Sequence, residues 1–227
     1  MSPLHLLWIL PLLLILPLFS RSVRRRLFAR FYDRVTRRHE AFLRERKRSL
    51  LADVRGRVVE IGPGTGANFA YLPEDIEWIG LEPNPHMHRA LRRRAEKHGI
   101  RAELRMGSAE SMDLPDDSVA CVISTLVLCS VSDVPRALAE IRRVLEPGGR
   151  FVFLEHVAAP EGSAQRRTQQ RIRPIWQWLG DGCCPNRETG RHIREAGFCE
   201  VEIEAFPVPA TIAPRFLSPH IVGQARN

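Results

Sequence analysis

A glycine-rich loop headed by an acidic residue is the part of this sequence best suited to chemistry. Residues 58–66 read Val-Val-Glu-Ile-Gly-Pro-Gly-Thr-Gly, so Glu60 is followed by Gly62, Gly64 and Gly66. Glycine allows positive φ angles and lets a ligand approach the backbone closely. The spacing differs from the dinucleotide motif G-x-G-x-x-G and from phosphate loops. Because a carboxylate here would repel a pyrophosphate, we expect a cationic, nucleotide-like ligand.

A second acidic residue ends the next apolar run. This run reads Trp78-Ile79-Gly80-Leu81, and Glu82 follows it directly. In a parallel sheet the carboxyl ends of adjacent strands share one crevice, so Glu82 is predicted to lie beside the glycine loop. There its carboxylate can accept hydrogen bonds from both hydroxyls of a ribose.

The remaining apolar runs predict a doubly wound α/β domain. Residues 118–128 read as a buried strand, and Pro-Gly-Gly at 147–149 precedes another strand over 150–157. Strands and helices alternate in steps of roughly 25–40 residues, which is typical of this class. Residues 200–206 and 220–225 are predicted to be the last two strands, antiparallel at the sheet edge.

These motifs together resemble the class I methyltransferases that use S-adenosylmethionine, over about residues 50–227. The resemblance implies a seven-stranded Rossmann-like sheet with helices on both faces, and S-adenosylmethionine as the cofactor. It also implies roles for individual residues. Gly62, Gly64 and Gly66 would line the methionine and ribose portion of the cofactor, and Glu82 would hold its ribose. Ser108 and Ala109 would flank the adenine, and Thr125 and Leu126 would face the sulfonium. Glu60 would orient the glycine loop or the amino group of the cofactor.

Further similarity is carried by residues 66–69, 125–131, 155–157, 180–184, 187–189 and 219–223. These segments resemble a narrower group, the membrane-bound alkyl thiol methyltransferases (the methyltransferase-like 7 group). That resemblance implies methyl transfer to small lipophilic thiols, including hydrogen sulfide. The chain departs from this group at Glu82, where Asp is common, but Glu keeps the ribose acceptor. The chain also has Pro63 where many relatives carry Cys. The φ angle that proline fixes is compatible with the turn of the glycine-rich loop.

The positive charge of the chain is concentrated near its N-terminus. The whole chain has a formal net charge of +8. Residues 21–57 hold 14 Arg or Lys against 4 Asp or Glu, a net charge of +10. The remaining residues therefore have a net charge of −2. The catalytic core is therefore nearly neutral and shows no recognisable RNA-binding motif, so we expect no nucleic-acid partner.

Residues 1–20 are predicted to be a hydrophobic membrane anchor. Residues 4–19 carry no formal charge and include two prolines. As a helix this stretch reaches roughly 24 Å, against about 30 Å for the hydrocarbon core, so it either spans a thin bilayer or dips into one leaflet.

Residues 21–50 are predicted to be a basic amphipathic helix. Val23, Leu27, Phe31 and Val35 recur every four residues, and arginines cover the other face. The pattern fits a helix in the lipid headgroup region; the alternative is a solvated helix packed on the domain. We expect a membrane-associated protein whose catalytic domain faces the cytoplasm. The host membrane would be the endoplasmic reticulum or the lipid-droplet surface in a eukaryote, and the inner membrane in a bacterium.

The five cysteines are expected to be reduced, and no metal site is expected. Cys121 and Cys129 fall in or just after the predicted strand 118–128, which makes them core residues. Cys183 and Cys184 are adjacent, and no cysteine or histidine spacing typical of zinc is present.

Two residues are candidates for handling the proton of an acceptor thiol. His156 ends a predicted strand, and Asp181 lies in the segment 158–185, which is predicted to cap the substrate crevice. A nearby base would help because thiols ionise above neutral pH. The alternatives are a structural histidine and a turn-forming aspartate.

Two other functions remain open at this point. A membrane lipid or quinone could be the methyl acceptor, since the fold and anchor would look the same. The chain could also be a non-enzymatic membrane-surface protein with a vestigial cofactor fold, although the intact Glu60, glycine loop and Glu82 argue against that.

Overall fold

The apolar runs of the sequence form the strands of one mixed sheet in the computed structural model, which describes residues 20–227. The strands are β1 (Arg57–Ile61), β2 (Glu77–Leu81), β3 (Ala102–Arg105), β4 (Val119–Thr125), β5 (Leu145–His156), β6 (Glu200–Pro207) and β7 (Pro219–Arg226). The helices are α1 (Arg21–Leu51), α2 (His88–Lys97), α3 (Val134–Val144), α4 (Ala164–Leu179) and α5 (Thr189–Glu195), with short 3-10 turns at Ala67–Ala70 and Arg215–Leu217.

The strand order confirms the predicted seven-stranded Rossmann-like sheet. The order is β3-β2-β1-β4-β5-β7-β6. The first five strands are parallel, whereas β7 runs antiparallel to both β5 and β6. The chain reverses its direction of winding between β1 and β4, and the carboxyl ends of strands at such a point form a ligand crevice.

Both faces of the sheet are covered, because alternate residues of each strand enter different cores. On β1, Val59 packs in the larger core, which contains the apolar face of α3. Its neighbour Val58 packs in a second core with Leu51 of α1 and Leu91 of α2. Apolar residues on both sides of a parallel strand explain its nearly continuous hydrophobic sequence.

Helix α1 begins at the predicted boundary and is partly packed on the domain. The Ser20 hydroxyl accepts a hydrogen bond from the backbone N–H of Val23, which caps the helix. Its last turns bury Leu43 and Leu51. The predicted anchor, residues 1–20, lies outside the described residues except for Ser20. Within residues 20–227, no helix is both long enough and apolar enough to cross a bilayer.

One predicted strand boundary changes where a turn replaces regular structure. The predicted strand 118–128 ends at Thr125 because Leu126 has a φ of 61°, which breaks the extended backbone. The cap segment 158–185 contains α4, and the Ser163 side chain caps that helix by accepting from the N–H of Arg166.

Candidate cofactor and acceptor site

The glycine loop follows β1 and crosses the carboxyl end of the sheet. Gly62 has a φ of 55°, and a Cβ atom there would lie 2.8 Å from both methyl carbons of Val127. Only glycine lets the loop pass this close to the turn after β4. The loop is also tied to β2, since the N–H of Gly62 donates to the carbonyl of Leu81 at 2.9 Å.

Glu82 braces the glycine loop against the loop after β2. One carboxylate oxygen accepts from the backbone N–H of Gly64 at 2.9 Å, and the other accepts from that of Asn84 at 2.7 Å. Burial raises the pKa of Glu82, and the two backbone donors lower it in part. Each oxygen keeps a lone pair for a further donor, so the carboxylate can still receive two ribose hydroxyls.

Glu60 is a buried residue that organises the loop from below. Its two carboxylate oxygens accept from Asn68 Nδ2 at 2.9 Å and from Trp78 Nε1 at 3.0 Å. Asn68 Nδ2 also lies 2.9 Å from the Thr125 hydroxyl, so these groups link β1, β2 and β4 to the 3-10 turn that follows the glycine loop. Burial raises the pKa of Glu60 to about 7, although both hydrogen bonds act in the opposite direction.

A cavity of about 310 Å³ opens above the glycine loop. That volume lies at the lower end of the range for small-molecule sites. Three predicted cofactor residues, Glu60, Gly66 and Thr125, are outside the described lining of this cavity. The predicted residues that line it are Gly62, Gly64, Glu82, Ser108, Ala109, Leu126 and Asp181.

The inner face of α1 forms a wall of the cavity that the sequence reasoning missed. Arg21, Arg25, Phe28 and Tyr32 all line it. They are spaced four, three and four residues apart, which places them on one face of a helix. The sequence alone does not reveal this face, because the stripe of Val23, Leu27, Phe31 and Val35 on the same helix predicts a membrane contact instead.

Asp181 joins this wall to the loop after α4. Its carboxylate accepts from Arg25 Nε at 3.3 Å and from Asn84 Nδ2 at 3.3 Å. It also has a positive φ of 50°, a conformation that few residues other than glycine adopt. The structure thus places Asp181 in the cavity wall, beside a cationic partner.

His156 is in a different environment from Asp181. It is 5% exposed and is not among the described residues that line the cavity. Its Nε2 atom lies 2.9 Å from Cys183 Sγ. Any effect of His156 on a ligand in the cavity would therefore act through neighbouring groups.

The position of Tyr32 leads to a test of the helical wall. Tyr32→Ala is expected to weaken S-adenosylmethionine binding by about tenfold, because it removes a large apolar contact surface worth about 1.5 kcal/mol. Isothermal titration calorimetry measures the change. Val35→Ala on the same helix is the control, since Val35 is 78% exposed. Equal affinities for the two variants would remove α1 from the cofactor site.

The residues present fit S-adenosylmethionine. Glu82 retains acceptor capacity on both oxygens, and the cavity is bordered by three carboxylates, those of Glu82, Glu110 and Asp181, and by two guanidinium groups, those of Arg21 and Arg25. The carboxylates suit the sulfonium and ammonium groups of this cofactor, and the guanidinium groups suit its carboxylate. The glycine backbone leaves room for a ligand, since a Cβ on Gly64 would have as its nearest neighbour Tyr32 Cε1, 3.8 Å away.

Comparisons with known proteins agree with this geometry. Residues 59–153 match the methyltransferase domain family. The human thiol S-methyltransferase TMT1B is 39% identical over 81% of this chain and 79% of its own length. A demethylmenaquinone methyltransferase of Thermus thermophilus is 30% identical over 76% of this chain and 78% of its own length.

Solved structures agree on the fold. A SAM-dependent methyltransferase from Thermotoga maritima superposes with a TM-score of 0.62 at 23% identity, covering 88% of this chain and 97% of its own. The glycine loop, the two strand-end carboxylates and the sequence similarity lead to one assignment. The chain belongs to the thiol S-methyltransferase family and is an enzyme that uses S-adenosylmethionine as its methyl donor.

Proposed function

We propose that this enzyme methylates the sulfur of small lipophilic thiols, hydrogen sulfide among them, at a membrane surface. The observation that carries the proposal is the 39% identity, over most of both chains, to a protein named as a thiol S-methyltransferase. The apolar lining of the cavity supports the preference for lipophilic acceptors.

The chain supplies a partly apolar cavity in which a thiolate can react. When bound, S-adenosylmethionine supplies an electrophilic methyl group on a positively charged sulfur. Phe28, Leu126, Val127 and Val131 contribute apolar side chains to the cavity. Attack by a thiolate cancels charge, so apolar walls that exclude water favour the dispersed charge of the transition state.

We propose Asp181 and His156 as the groups that handle the thiol proton. Asp181 is the better placed, because its carboxylate borders the cavity. Its contact with Arg25, 3.3 Å away, supplies positive charge that would stabilise a nearby thiolate. His156 is separated from the cavity by Cys183 in this proposal.

Methyl transfer to a simple alkyl thiol tests the proposed reaction. Detergent-solubilised protein is incubated with S-adenosylmethionine and the thiol, and the methyl thioether is measured by mass spectrometry. We expect product from the parent protein and none above background from Glu82→Ala. Cofactor binding without thioether would contradict the assigned acceptor.

A lipid or quinone acceptor is the second candidate. The similarity to a demethylmenaquinone methyltransferase favours it, since that relative is 30% identical over 76% of this chain. The same assay distinguishes the candidates when the thiol is replaced by a demethylated quinone or a phospholipid. Product from one of these acceptors alone would select the second candidate.

The outer face of α1 supports the proposed membrane contact and a cytoplasmic position of the catalytic domain. Its apolar residues Val23, Leu27, Phe31 and Val35 are exposed, and arginines surround them. An exposed apolar stripe flanked by basic residues is typical of helices that lie in the headgroup region.

Vesicle flotation tests this face of α1 separately from residues 1–19. In protein lacking those residues, replacement of the four apolar side chains by Ser is expected to reduce binding to anionic vesicles by at least tenfold, since each buried apolar side chain contributes about 1 kcal/mol or more. Equal binding before and after the replacement would show that this stripe is not a membrane contact.

A further inference from the structure

Three side chains that are distant in sequence meet next to the cofactor cavity. Cys129 lies in the turn after β4, His156 is the last residue of β5, and Cys183 follows α4. The two sulfur atoms and one imidazole nitrogen all lie within 4.8 Å of one another. The sequence predicted no metal site because its spacing is not that of zinc motifs, but the fold brings these ligand atoms together.

The surroundings of the two sulfur atoms differ from those of ordinary core thiols. Cys183 Sγ accepts from Trp176 Nε1 at 3.1 Å and lies 2.9 Å from His156 Nε2. Two nitrogen atoms therefore lie within 3.1 Å of this one sulfur. Cys129 is 1% exposed, and its thiol is directed at the carbonyl of Leu126 at 3.6 Å.

We propose that Cys129, His156 and Cys183 bind one Zn²⁺ ion. Two thiolates and one imidazole form a known zinc ligand set, and three protein ligands leave a fourth position for water or another thiolate. In a tetrahedral site the His156 and Cys183 ligand atoms would be about 3.5 Å apart, so they must separate by about 0.6 Å from the contact in this structure. That is the change expected when an ion replaces the proton between them.

The contacts of the adjacent Cys184 show why Cys183, and not Cys184, is the proposed ligand. Cys184 is buried, but its thiol is directed at the Asn186 side-chain oxygen at 3.2 Å. Its backbone N–H donates to the carbonyl of Cys129 at 2.8 Å, which holds the two segments together. Cys184 is therefore a matched control within the same loop.

The proposed ion would connect two segments that form the cavity wall. Leu126, Val127 and Ser130 belong to the segment of Cys129, and Gly180 and Asp181 belong to that of Cys183. Zinc would also occupy His156 Nε2 and leave Asp181 as the group that takes the thiol proton. The zinc site itself does not depend on which acceptor the enzyme methylates.

Metal content is the first test. The full-length protein is equilibrated with ZnCl₂ under a phosphine reductant, freed of excess metal and analysed by mass spectrometry of the metal. We expect about one zinc per chain in the parent protein and in Cys184→Ser, and less than about a tenth of that in Cys129→Ser and Cys183→Ser. Parent protein that retains less than about a tenth of an equivalent would overturn the proposal.

A second measurement uses the parent protein alone, so it does not depend on how the variants fold. Zinc is expected to slow maleimide labelling of Cys183 by at least tenfold, as located by peptide mass spectrometry, because metal-bound thiolates are poor nucleophiles. Cys199 is exposed and serves as the internal control, labelling at the same rate with and without zinc. Unchanged labelling of Cys183 on addition of zinc would also overturn the proposal.

Discussion

Glu82→Ala is expected to weaken S-adenosylmethionine binding by about a thousandfold. The carboxylate can receive two ribose hydroxyls, and hydrogen bonds to a charged group contribute about 1.5–3 kcal/mol each. The substitution also removes the acceptor for the backbone N–H groups of Gly64 and Asn84. The glycine loop and the loop after β2 are then no longer linked through one carboxylate. Isothermal titration calorimetry on the purified protein measures the loss.

Two further variants separate the cofactor contact from a general effect on β2. Glu77 begins the same strand and forms an exposed ion pair with Arg57, so Glu77→Ala is expected to leave cofactor affinity within about twofold of the parent. Glu82→Asp keeps the carboxylate and should retain most of the affinity. If Glu82→Ala and Glu77→Ala bound the cofactor equally well, the ribose assignment would be wrong.

The sequence contained enough information to predict a parallel α/β sheet and its two strand-end carboxylates. Both follow from local patterns, since apolar runs end at Glu60 and Glu82 and parallel strands must bring those ends to one edge. The spacing of the motifs could not show how the surroundings of the two carboxylates differ. Glu60 is held by Asn68 and Trp78 below the loop, whereas Glu82 borders the cavity.

Contacts between distant segments were harder to predict. Helix α1 has two useful faces, and only packing against the domain shows that Phe28 and Tyr32 line the cavity while Val35 is exposed. The cluster of Cys129, His156 and Cys183 shows the same difficulty. Its members come from three elements, so no local spacing reveals it.

The second large effect is expected at the last glycine of the loop. Gly66→Ala should lower the free energy of unfolding by about 3–4 kcal/mol, measured by urea denaturation monitored by circular dichroism. Gly66 has a φ of 83°, and an added Cβ would lie 2.6 Å from the Phe69 ring and 2.8 Å from a methyl carbon of Leu91. Both neighbours are buried in the core against β2, so they have little freedom to move.

Gly99→Ala separates backbone strain from steric overlap. Gly99 has a similar φ of 67°, but a Cβ there would meet nothing within 4 Å. Gly99→Ala should lower the free energy of unfolding by only about 1–2 kcal/mol, the cost of placing a Cβ on a residue with a positive φ. The difference between the two variants then measures the overlap with Phe69 and Leu91, and it assigns Gly66 to packing of the loop on the core. If both variants lost the same stability, that packing role would be refuted, and the positive φ alone would explain this glycine.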